Sequence, residues 1–226
     1  MNPVDHFVGL LAAGPADPRH VFNPWKDHDE RDHPPRAAAP RTRRANLAAY
    51  VRARERSARV MLLGEAPSHR GCRFSGIPFC SEVEMFHKPA LVAREKLAPT
   101  SAVHADKPMS ERSAAIIWDE LDRAGVSQEV ILWNAFPWHP HGLDGVASNR
   151  KPRLPEVAQG HEAFEALLRC FTHEIAVFAV GKVAEDALRR WEKTHCAGYI
   201  RHPSHGGEGL FRSQFRDLVV ARTLSK

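Results

Sequence analysis

The chain has 226 residues, enough for one packed domain, and its 43% apolar and 26% charged residues describe a globular, not a disordered, protein. No run approaches the ~20 apolar residues of a membrane span, and Met1–His6 lacks a basic stretch followed by an apolar core, so a cytoplasmic protein without a secretory leader is expected. The net charge is +5, and the four cysteines (Cys72, Cys80, Cys170, Cys196) form no C-x-x-C pair, which excludes a disulfide frame or zinc site in favour of free thiols.

In chain order, residues 3–13 read as a short apolar helix. Residues 14–40 are rich in proline and charge, with no sustained period, and read as an extended covering segment; the covering region as a whole is placed at 1–45. From Arg36 to Arg59 eight arginines face a single acid, Glu55. A helix over Arg41–Arg59 puts Arg41, Arg44, Arg52 and Arg56 on one face and Leu47, Tyr50 and Val51 on another. Such a cationic ridge suits a phosphate backbone or is simply a solvated helix face. Arg59–Leu63 is the first predicted strand, and residues 68–81 a loop. Glu111–Ala124 reads as a helix with Ser110 as N-cap and Gly125 past its end, and Val130–Trp133 as the second strand. A helix over Pro155–Cys170 carries Val157, His161, Phe164 and Leu168 on one face. A third strand follows at Glu174–Val180, a helix at Gly181–Trp191, a fourth strand at Gly198–Ile200 and a last helix at Leu210–Val220 through Phe211, Phe215 and Leu218. Alternating strands and helices imply right-handed crossovers. The expected fold is α/β: one three-layer α/β/α domain over residues 1–226 with a central, mainly parallel four-stranded sheet.

Ligands of open α/β sheets bind at the carboxyl ends of the strands. There the first predicted strand runs into Gly64-Glu65-Ala66-Pro67-Ser68, the second ends in Asn134, and the fourth runs into Arg201-His202-Pro203-Ser204-His205-Gly206-Gly207. A carboxylate, an amide and an imidazole are thereby brought to one edge. Two strings of metal-ligand type, His28–His33 and Trp138–His141, lack a regular period to aim their ligands, so no metal is expected. His139 and His141 follow Asn134 closely and read instead as part of a loop that faces such a phosphate backbone.

These motifs resemble those of the uracil-DNA glycosylase superfamily. Gly64-Glu65-Ala66-Pro67 is similar to its first motif in the thermophile-type spelling, Pro78-Phe79 to the Pro-Phe pair that follows, and His202-Pro203-Ser204 to its second motif. Asn134 matches the asparagine ending the next core strand, and Gly181-Lys182-Val183-Ala184 a Gly-x-x-Ala helix start; the likeness runs over about residues 59–220. There are departures. Residues 1–71 hold no cysteine where iron–sulfur members have a pair, so no cluster and no other cofactor is expected. Ser68 stands where glycine is usual, His205 where many members have proline, and Ala66 where several families carry Asp or Asn. The tyrosine that some families set against the methyl group of thymine has no counterpart in Gly64–Ser68.

The resemblance implies a monofunctional hydrolase that flips uracil out of DNA and cuts its N-glycosidic bond, leaving abasic DNA, as a monomer and without a membrane. His202 then donates to uracil O2, and Glu65 orients water and favours the sugar cation. Asn134 donates to O4 and accepts from N3–H, and Phe79 is the stacking face. Ala66 and Pro67 line the pocket, while Ser68, His69, Arg70, Ser204, His205 and Gly206 meet the DNA, with His205, Leu210 or Phe211 filling the vacated stack. The histidines imply binding that strengthens as pH falls toward ~6.5. Three alternatives remain: the same fold acting on hypoxanthine or xanthine, a damage-site binder that holds abasic DNA without turnover, and a nucleotide-binding α/β module. The last is disfavoured because the chain has neither a Gly-x-Gly-x-x-Gly nor a Walker loop.

Overall fold

Four apolar five-residue runs build the centre of the structure, a computed structural model that describes residues 2–88, 91–92, 97–102, 107–191 and 196–224. The strands are β1 (Val21–Phe22), β2 (Val60–Gly64), β3 (Val130–Asn134), β4 (His139–Pro140), β5 (Ala176–Val180) and β6 (Cys196–Ile200). The helices are α1 (Pro3–Ala13), α2 (Ala39–Arg52), α3 (Cys72–Ser75), α4 (Glu82–His87), α5 (Arg112–Ala124), α6 (Leu154–Leu168), α7 (Lys182–Arg190), α8 (Glu208–Gln214) and α9 (Ala221–Leu224). β2 and β3 are buried along their whole length, as strands covered on both faces must be. The four-stranded sheet has the order β3-β2-β5-β6 and every pair in it is parallel.

From β2 the chain crosses to β3 on one side; from β5 it crosses to β6 on the other. Right-handed crossovers in opposite directions put helices on both faces, α5 with the C-terminal helices and α6 with α1. They also make the loops after β2 and β5 diverge, which opens a crevice at the carboxyl ends of those two strands. β1 and β4 form a separate antiparallel ribbon.

The expected strands and the main helices are present, with ends shifted by a few residues. Glu111, not Ser110, occupies the N-cap of α5, and Gly125 ends that helix in the left-handed region at φ 68°. The covering segment is not merely extended: it supplies β1 and a buried charge cluster. His161 is half-exposed and stacks on Trp191 at 5.0 Å rather than joining the buried face of α6. After α8 the backbone widens into a π-type stretch, Phe215–Val220. That added residue per turn brings Val219 inward behind Phe211 and Phe215 and leaves Leu218 38% exposed, correcting the expected phase.

The cationic ridge is also corrected. α2 stops at Arg52, so Arg56 falls outside it; Arg44 donates to the Trp25 carbonyl at 2.6 Å and Arg52 pairs with Asp5 at 2.5 Å. Arg43 and Arg54 lie wholly inside the protein. Arg54 reaches the carbonyls of Val130, Leu91 and Ser127, while Arg43 pairs with buried Asp32, which also meets Arg73 at 3.2 Å. Removing one member of a buried ion cluster strands the others, so Asp32→Ala is expected to lower unfolding stability by about 3–5 kcal/mol in a urea titration. An unchanged midpoint would mean that the two arginines find other acceptors.

Candidate active site

The loops after β2, β5 and β6 meet at the crevice between β2 and β5, and Asn134, ending β3, lies beside Gly64 behind the residues that line it. A cleft of about 400 Å³ opens there, lined by Glu65, Ala66, Pro67, Ser68, Phe79, His202, Ser204 and His205 together with Val180, Gly181 and Lys182. A larger hollow of about 730 Å³ lies at the opposite, amino-terminal ends of β5 and β6, where sheets of this kind do not bind ligands.

The first loop is held by extension of the ladder. Ala135 N–H donates to Gly64 O at 2.8 Å and Phe136 N–H to Glu65 O at 3.0 Å. Gly64 pairs with Asn134 across the sheet, and a side chain at 64 would collide with the ring of Phe79. Glycine is thus what lets that ring settle over the strand ends. Phe79 itself takes the left-handed conformation (φ 49°), a strained state for a bulky residue, and its carbonyl is pinned by Trp118 Nε1 at 2.9 Å. Asn134 lies close by and is only 1% exposed, with an Oδ1 that has no hydrogen-bond partner among the described residues. A buried acceptor left unpaired is costly, and its natural remedy is a donor brought by a ligand.

His202 faces Phe79 with ring centroids 6.3 Å apart, and its Cβ packs on Gly181. Its Nδ1 receives the backbone N–H of Ser204 at 3.2 Å and lies 2.8 Å from the Ser204 hydroxyl. A nitrogen that accepts an N–H bears no hydrogen, so the hydrogen resides on Nε2, the edge left for a ligand. Burial, then the charges of Arg201 and His205, push its pKa down to about 4. The ring is therefore a neutral donor at pH 7. Burial also raises the pKa of Glu65, opposed by Lys151.

The remaining predicted residues sit around this centre. His69 is fixed by Asn149, whose Oδ1 accepts from its backbone N–H at 3.0 Å and lies 3.1 Å from its Nδ1. Arg70, His205 and Gly206 are exposed on the rim, His205 with φ 51°. Phe211 is fully buried against Phe215, which removes it as the side chain that fills the vacated stack; Leu210 is 61% exposed. His139 and His141 are buried rather than DNA-facing, and the two ring nitrogens of His139 lie 3.0 Å from the carbonyl oxygens of Pro67 and Val146, one of which accepts the single N–H of the neutral ring.

Burial pushes His139 down to about 4, and it also lowers His69. Protonation of His69, His139 and His202 therefore lies below ~6.5, and the expected strengthening of DNA binding down to that pH does not come from them. For stability, the unfolded chain binds these protons first, at an ordinary pKa near ~6.5. The contribution of His139 and His202 is present above ~6.5 and lost as pH falls through about 4. Denaturant midpoints at pH 7, 5.5 and 4 should fall, and fall less in His139→Gln; equal slopes would remove His139 from the acid response.

Sequence reading missed the basic wall of the cleft, Arg150, Lys151, Lys182 and Arg201, and a second carboxylate, Glu111. They come from four separate segments of the chain, and no local signal brings those segments together.

No curated protein matches the sequence. Among solved structures, wild-type SMUG2 of Pedobacter heparinus has the same fold, with a TM-score of 0.66, 13% identity and 98% of each chain covered. The family model described as the uracil DNA glycosylase superfamily matches residues 52–220, which include the Glu65 loop, Asn134 and the His202 loop. The chain therefore belongs to the uracil DNA glycosylase superfamily.

Proposed function

We propose that this DNA glycosylase excises uracil: the flipped base enters the cleft, its N-glycosidic bond is hydrolysed and abasic DNA is released. The observation that carries the reading is the unpartnered Asn134 Oδ1 beside Phe79, with His202 Nε2–H presented from the neighbouring loop. Uracil offers N3–H to the first and an O2 that gains negative charge to the second. Cytosine, with a bare N3 and an N4 amine, reverses the demand at Asn134.

As the C1′–N1 bond breaks, the sugar becomes cationic and the base anionic. A neutral imidazole stabilises the anion by hydrogen bonding without surrendering its proton. Glu65, half-buried at the loop after β2, favours the cation and orients the water that completes the sugar. Phe79 stacks on the base, and Ala66 and Pro67 close its edge.

Arg70, Lys151, Arg201, His205 and the backbone of Gly206 surround the cleft with donors for the flanking phosphates, and Leu210 fills the stack. The hydroxyls of Ser68 and Ser204 are already engaged within their loops, so these residues shape the DNA-facing turns more than they grip phosphate.

The test is the identity of the released base. Oligonucleotides carrying uracil, hypoxanthine or xanthine are incubated with the protein, and free bases are identified by mass. Uracil alone, or uracil well ahead of the purines, is the expected result; purine release without uracil would replace the reading with that of a purine glycosylase.

A further inference from the structure

Glu111 is a carboxylate of the cleft that no step above uses. It stands at the N-cap of α5, where Ser, Thr, Asp or Asn usually bonds the free N–H groups of the first turn. Its side chain makes no such bond. The carboxyl instead lies over the Cα of Gly71, where any side chain would collide with Oε2, and Ser68 Oγ approaches the same point at 3.3 Å.

The hydrogen bonds of Ser68 decide what the carboxyl can do. Ser68 Oγ accepts the N–H of Gly71 at 3.2 Å and of Arg70 at 3.4 Å, so its lone pairs are occupied and its one hydrogen remains to be donated. Glu111 receives it. Ser68 continues directly from Glu65-Ala66-Pro67, so this carboxyl braces the loop that carries the acid proposed to orient water.

We propose that Glu111 is a positioning residue for excision: its carboxylate, acting through Ser68, sets the loop that carries Glu65, and the reaction rate follows its ionisation. The inference rests on the uracil-excision reading above. The titratable groups that face Glu111 are Glu84 of α4, Cys72 of α3 and Cys80 in the turn between those helices. Burial first, and then the charge of Glu84, push its carboxyl up to about 7 against the Ser68 hydrogen bond. Below that pH the neutral acid can accept the Ser68 hydrogen only as an uncharged carbonyl does, and the brace weakens. Above it, the ionised carboxylate takes the Ser68 hydrogen in a charge-assisted bond. Excision thus rises with pH through about 7, well separated from His202 at about 4.

The experiment is single-turnover uracil release between pH 5.5 and 8.5 by the wild type, Glu111→Gln and Ser68→Ala. The wild-type rate is expected to rise about tenfold through neutrality, the scale of one charge-assisted hydrogen bond. Glu111→Gln, which can still accept from Ser68 but never ionises, should be flat near the acid limit of the wild type. Ser68→Ala keeps the charge but breaks the link, and should also lose the rise. Retention of the rise in either variant overturns the proposal, as does a flat wild-type profile. Absence of uracil release by the wild type at every pH would instead overturn the functional reading on which the proposal rests.

Discussion

Replacing His202 with alanine is expected to slow uracil excision by about 10²–10³-fold, the scale of removing one donor from a site of developing negative charge. Affinity for abasic product DNA should change far less. On the proposed reading the two effects separate, because the Nε2–H matters only once the base becomes anionic, whereas the rim around Arg70, Lys151 and His205 holds product DNA. The backbone N–H of Ser204 fixes the tautomer and a pKa of about 4 keeps the ring neutral, so His202 needs no change of protonation between binding and bond breaking. Single-turnover rates and abasic-DNA titrations on the same preparation test this. Equal losses in both would make His202 a DNA-holding group and return the stabilisation of the leaving base to other donors.

Replacing Asn134 with aspartate is expected to cost selectivity more than stability. The side chain is 1% exposed, so a carboxyl there is driven toward its neutral form. A neutral carboxyl can carry its hydrogen on either oxygen. One arrangement donates to O4 and accepts from N3–H, as uracil needs; the other accepts from N4 and donates to N3, as cytosine needs. The ratio of uracil to cytosine excision should fall by about ten- to a hundredfold, the equivalent of one mismatched buried hydrogen bond at 1–3 kcal/mol. The measurement is the pair of single-turnover rates on oligonucleotides differing only in that base. An unchanged ratio would remove Asn134 from base reading.

The sequence made the frame of this site legible because strands and short polar loops leave local signals. Val130-Ile131-Leu132-Trp133 could only be a buried strand, and the Glu65 and His202 loops followed such runs directly. Charge was harder to read. The arginines clustered from Arg36 to Arg59 fit a phosphate-binding ridge and a solvated helix face equally well, and nothing local sets apart Arg43 and Arg54, which are packed inside against carbonyls and Asp32. The cations that do line the cleft, Arg150, Lys151, Lys182 and Arg201, come from separate segments and meet only through the sheet topology. His139 and His141 were misplaced for the same reason: nothing local shows that the β1–β4 ribbon buries them. Glu111 was invisible because its partner Ser68 lies across a segment whose fold, α3 and α4, leaves no strong period.

The most direct measurement is excision from a labelled duplex bearing a single uracil, first with protein in excess and then with substrate in excess, followed by alkali to cut abasic sites. Strand scission that depends on alkali, with several products formed per protein molecule, is the result predicted for a monofunctional uracil glycosylase. DNA that the protein binds but that stays uncut by alkali after incubation with excess enzyme would contradict it, and would leave a superfamily member that acts on another base or recognises damage without excising uracil.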